Sequence, residues 1–87
     1  MKTSRKEFTE KVMDAKVDEI IPISHFPYKN LHFDFEKDTA EFSWVAEREH
    51  SCGAGYVFPG NGNTVQTFKT LNGAKRNMIK HFEHLLD

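Results

Sequence analysis

From Leu31 to Glu47 the chain alternates apolar and polar residues almost without a break. Leu31, Phe33 and Phe35 share one parity, and His32, Asp34 and Glu36 the other. After Lys37-Asp38-Thr39, the residues Ala40, Phe42, Trp44 and Ala46 alternate against Glu41, Ser43, Val45 and Glu47. Successive side chains of a strand point to opposite sides of a sheet, so a period of two over this length specifies two half-buried strands. The turn residues between them make the pair an antiparallel hairpin. Such a hairpin, with one face built of aromatics, is not stable alone in water. The flanking segments must therefore cover Phe33, Phe35, Phe42 and Trp44.

The flank before the hairpin opens with Ser4 and Glu7 at capping-box spacing, where a hydroxyl accepts a backbone N–H of the first helical turn. Phe8, Val12 and Ala15 then recur at helical spacing, and Pro22 disfavours helix in the residue before it. The predicted helix spans residues 5–18. Ile20 to Tyr28 contains Pro22 and Pro27 and has no period, so it reads as an extended connector. Beyond the hairpin, Ser51 to Gly55 is a loop or bulge, Tyr56-Val57-Phe58 a third strand, and Pro59 to Asn63 a turn. Thr64 to Phe68 is then a short fourth strand or the return arm of that turn. Thr70 is placed to cap a closing helix, in which Leu71, Ala74, Met78, Phe82 and Leu85 form an apolar stripe.

The order is α-β-β-β(-β)-α over residues 1–87, a single domain of the α+β class with an antiparallel sheet and both helices on one face. Its expected core is Phe8, Val12, Leu31, Phe33, Phe35, Phe42, Trp44, Met78, Phe82 and Leu85. Composition agrees with one small core: 87 residues, 38% hydrophobic, with eight Phe. That is too apolar for a disordered linker. The aromatic content also raises the expectation of a homodimer, because one small core has a limited area to cover. A single cysteine, Cys52, rules out an intramolecular disulfide. No apolar run approaches the roughly 18 residues of a membrane span. The expected setting is cytoplasmic, with no membrane partner.

Catalytic and metal chemistry find little support. His50, Cys52, His81 and His84 supply zinc-type ligands, but without the paired knuckle spacing of structural sites. His81 and His84 are expected instead as helix-end residues favoured by the helix dipole. No metal and no cofactor are expected. Asp34, Glu36, Glu41 and Glu47 fall on the solvated face of the hairpin, where no carboxyl is isolated enough to act as a general acid. The glycine-bearing turns lack the Lys-Ser/Thr of a phosphate loop. The expected protein is not an enzyme.

Charge is more informative. The net formal charge is -1, yet residues 1–16 and residues 64–87 each sum to +2, whereas residues 30–50 sum to -4. With both helices on one side of the sheet, Arg5, Lys6, Lys16, Lys69, Lys75, Arg76 and Lys80 gather on the helical side. Asp34, Glu36, Glu41 and Glu47 occupy the opposite side. Lys75 and Arg76 fall in the first turn of the closing helix, where free backbone N–H groups also favour an anion.

The order α-β-β-β-α, with Ala74-Lys75 in the first turn of the last helix and Pro27-Tyr28 ahead of the hairpin, resembles the double-stranded RNA-binding domain. Of that family's Lys-Lys-x-Ala-Lys signature, Leu71-Asn72-Gly73-Ala74-Lys75 keeps the last two positions. The resemblance implies shape-based contact with A-form RNA through the helical side, with Lys75 and Arg76 in the carried positions. The expectation is an RNA-binding module that uses Lys69, Lys75, Arg76, Lys80, Arg5 and Lys6. In size and composition the chain also resembles small phage-encoded inhibitors of host nucleases or defence enzymes. On that reading, Asp34, Glu36, Glu41 and Glu47 form a regular anionic grid that engages a host protein.

Overall fold

The computed structural model describes residues 4–23, 31–50, 53–61 and 64–85. The expectations on Pro27, Tyr28 and Cys52, and on the side chains of His50 and Leu85, lie outside the described residues. The described residues form two helices and six strands: α1 (Arg5–Asp14), β1 (Ile21–Ile23), β2 (Leu31–Asp38), β3 (Glu41–His50), β4 (Gly53–Val57), β5 (Gly60–Asn61), β6 (Thr64–Val65) and α2 (Leu71–Phe82). A short 3-10 turn at Glu83–Leu85 follows. The first four strands make one antiparallel sheet in the order β1-β2-β3-β4, and β5 and β6 form a separate small ribbon.

Both helices start where a hydroxyl can take an N–H. Ser4 Oγ accepts from Glu7 at 3.1 Å, and Thr70 Oγ1 accepts from Gly73 at 3.0 Å. Helix α1 is shorter than the expected 5–18. It stops at Asp14 because Ala15 turns extended and the following residues are captured by the edge of β2. Val17 bridges Phe35, and the Asp18 N–H donates to the Phe35 carbonyl at 2.8 Å. Asp18 has φ 64, a left-handed conformation that Asp tolerates better than most residues.

The segment read as a connector thus completes the edge of the sheet. Ile21, Pro22 and Ile23 pair with Phe33, His32 and Leu31, and Pro22 is tolerated because β1 is an edge strand. Thr64–Phe68 does not form the fourth strand of the main sheet. Val65 pairs with Gly60, and Phe68 returns to exchange two backbone hydrogen bonds with Phe42, both at 2.8 Å. At Gly60, φ is 128, and a Cβ would fall 2.0 Å from the Thr64 carbonyl oxygen, so only glycine fits this turn.

The two helices and the inward parity of the sheet enclose one core: Phe8, Val12, Ala15, Ile23, Leu31, Phe33, Phe35, Trp44, Ala46, Ala74, Met78 and Phe82. Phe42 is partly buried against it. Phe8 joins the layers, with its ring centroid 6.3 Å from Phe33 of β2 and 5.8 Å from Phe82 of α2. Trp44 packs at 5.7 Å on Phe82 and donates its indole N–H to Asn77 Oδ1 at 2.9 Å, so its one polar atom is paired. With both helices on this face, the other face of the sheet carries no helix. Among the described residues, no helix is long and apolar enough to cross a membrane.

Candidate functional site

The strand register defines the uncovered face. Phe33 pairs with Ala46 and Phe35 with Trp44, all buried, so the alternate pairs His32 with Glu47, Asp34 with Val45, Glu36 with Ser43 and Asp38 with Glu41 point outward. Tyr56 of β4 pairs with Glu47 and shares this face. Lys37, the cation within β2, has the inward parity, and its ammonium lies 5.6 Å from the centroid of Phe42. Among the outward positions of β2, β3 and β4 whose side chains are described, five are carboxylates and none is Lys or Arg.

The carboxylates act on one another. Burial raises the Asp34 carboxyl above the usual aspartate range, and the nearby Asp18 charge adds to this, while His32 pulls it back. Glu36 is raised by burial, then by Asp34 and Asp18. Glu47 is the best partnered. His32 Nε2 lies 3.6 Å from its Oε1, and the Glu47 carboxylate, as an acceptor for the phenol and as a nearby negative charge, pushes the Tyr56 hydroxyl above the usual tyrosine range. Ile20, His32, Asp34, Val45, Glu47 and Tyr56 enclose a depression of about 170 Å³ at the centre of the face. Ile20 and Tyr56 are 67% and 68% exposed, so its apolar walls stand in solvent.

The outward placement expected for Asp34, Glu36, Glu41 and Glu47 is the one observed. Glu41 lies at the end of the face, where its Oε1 accepts from Thr67 Oγ1 at 3.1 Å. Three residues near the depression escaped the sequence reading. Asp18 and Ile20 are brought there by the edge strand β1 and the turn before it, which have no readable period. Tyr56, read only as part of a third strand, is aligned with Glu47 by the β3–β4 register.

On the helical side the expected cations divide. Arg5, Lys6, Lys69, Arg76 and Lys80 are exposed, and α2 contains no acidic residue. Arg5 donates to the Glu83 carbonyl at 3.4 Å. Lys75, expected among the surface cations, is instead only 5% exposed. Its ammonium donates to the Met13 carbonyl at 2.6 Å and lies 5.9 Å from the Phe35 ring centroid. The reason is that the last carbonyls of α1 have no intrahelical donor, and Lys75 of the neighbouring helix supplies one. His81 packs edge-on against Trp44 at 5.3 Å. Its imidazole is held below the usual histidine range by burial, then by His84 and Arg48.

No group of three His, Cys, Asp or Glu side chains is arranged to hold a metal among the described residues. A second hollow, of about 290 Å³, lies between α1 and the start of β1, and its lining includes Glu7, Glu10, Asp14 and Glu19. It follows the flank of a solvated helix and has no aromatic wall. Comparison of the chain with protein-family models, with curated proteins and with solved structures finds no match in any of the three.

Proposed function

We propose that this protein is a non-enzymatic binding module that docks on a basic protein surface through the uncovered face of its sheet. The observation that carries this reading is the charge of that face: Asp34, Glu36, Asp38, Glu41 and Glu47 point outward with no outward Lys or Arg between them. Alternate carboxylates on a strand recur about every 6.8 Å, which forms a grid of like charge. A partner that binds nucleic acid presents the complementary Lys and Arg, and occupation of that surface would inhibit it. Complementary charge of this kind steers association and selects partners. The central depression lies below the roughly 300 Å³ at which small-molecule sites begin, which favours a macromolecular partner over a small substrate.

The test is affinity capture from the cell of origin, with and without nuclease, using the wild type and two double variants. Glu36→Lys with Glu41→Lys alters exposed positions on the sheet face and should release the captured protein. Arg76→Glu with Lys80→Glu should leave it bound. Recovery of RNA that is lost with the second pair of substitutions, and not with the first, would overturn the reading in favour of RNA binding by the helical side.

A further inference from the structure

We propose that the depression at the centre of the open face is a receptor for a single arginine side chain presented by the docked partner. This rests on the reading that the face docks a basic surface, and it names the group that anchors the contact. The site differs from an acidic patch because its walls are mixed. Val45 is half-buried between the strands, Ile20 supplies a second aliphatic wall, and the largely exposed Tyr56 ring supplies an aromatic one. The methylenes of a long side chain can lie on the aliphatic walls, and a cation above the Tyr56 ring is attracted by its π-face.

The carboxylates then define the head group. Asp34 pairs with Val45 and Glu47 with His32, so Asp34 and Glu47 are diagonal neighbours on adjacent strands, with a separation of about 7 Å. A planar cation with several donors can lie between carboxylates carried on positions spaced in this way, whereas a point charge can approach only one closely. Guanidinium is also less strongly hydrated than ammonium and stacks on aromatic faces. Before docking, Glu47 has His32 Nε2 at 3.6 Å and faces Tyr56 across the β3–β4 register, so the anion and the ring stand side by side. Asp18 adds negative potential at Asp34, and His32 opposes it in part.

The experiment needs no identified partner. The capped peptide Gly-Ser-Arg-Ser-Gly is titrated into the 15N-labelled full chain and followed by amide shifts, with the Lys and Gln counterparts as controls. The Arg peptide should shift Val45, Glu47 and Tyr56 in a saturable manner and bind about threefold or more tightly than the Lys peptide. The Gln peptide should cause no such shifts. Tyr56→Ala and Glu47→Gln should each remove the Arg preference, and Tyr56→Phe, which keeps the ring, should retain most of it. Equal shifts with Arg and Lys peptides spread over the whole acidic face, or no shifts with any peptide, would overturn the arginine site. The docking face itself would fail in a different way, through capture that is indifferent to Glu36→Lys with Glu41→Lys.

Discussion

Lys75 shows how far a single charged residue can depart from its pattern. Its place in α2 is next to Ala74 on the apolar stripe, and its four methylenes are compatible with burial while the ammonium reaches the end of α1. Lys75→Met keeps the stem and removes the donor from Met13, so it should destabilise the fold by about 1–3 kcal/mol, measured by urea unfolding. A midpoint unchanged from wild type would show that water replaces the contact at no cost. Asp34 has the opposite character, since its ionisation is harder in the folded chain than in the unfolded one. The folded state therefore keeps its proton to higher pH. The penalty is absent in acid, grows as pH rises from the ordinary range near ~3.9 through the raised folded value, and is complete above that value. Asp34→Asn should raise the melting temperature at pH 7 and leave it little changed near ~pH 3, where Asp34 is protonated in both states. An equal gain at both pH values would attribute the effect to packing. In the arginine site the same variant should weaken binding, a gain in stability made at the expense of the contact.

At the scale of elements, what could be read in advance was what a long local pattern or a cap specifies. The β2–β3 pair declared itself through seventeen-odd positions of alternation from Leu31 onward, and both helix starts through Ser4 and Thr70. Strand β1 did not, because Ile21-Pro22-Ile23 is too short to show a period and exists through pairing with β2. The early end of α1 has the same origin, since Val17 and Asp18 are held by Phe35 rather than by anything local. The outward carboxylates were legible from parity, while Ile20 and Asp18 could join them only once that edge was placed. The hairpin turn gives a test of local chemistry. Asp38 pairs with Glu41, leaving Thr39 and Ala40 as a two-residue loop, and Thr39 has φ 58. A positive φ at the first loop position favours glycine, and a β-branched residue is strained there. Thr39→Gly should therefore stabilise the protein by about 0.5–1 kcal/mol, or several degrees in melting temperature. A lower melting temperature would mean that the Thr39 side chain contributes more than its backbone strain costs.

Over the whole molecule the open face of the sheet carries carboxylates, and α2 on the other side carries cations and no acid, on a thin body. The principal extents are 38 × 29 × 22 Å, so even the shortest exceeds the Debye length of about 10 Å at 0.1 M salt. At that ionic strength each face presents its own charge to the surroundings. The titratable groups agree: carboxyls on the open face are pushed up in part by other carboxylates, and His81 on the last turn of α2 is pushed down in part by His84 and Arg48. With a sequence isoelectric point near 6.5, a protein of evenly mixed charge would bind weakly to either ion exchanger at that pH. This chain should instead be retained at low salt by both anion- and cation-exchange matrices. Glu36→Gln with Glu41→Gln should shorten retention on the anion exchanger, and leave the cation exchanger less affected than their added positive charge would suggest for a uniform body. Arg76→Gln with Lys80→Gln should do the reverse. If each pair shifts both columns by equal and opposite amounts, net charge alone governs binding, and the segregation seen along the chain does not survive as two separate surfaces in solution.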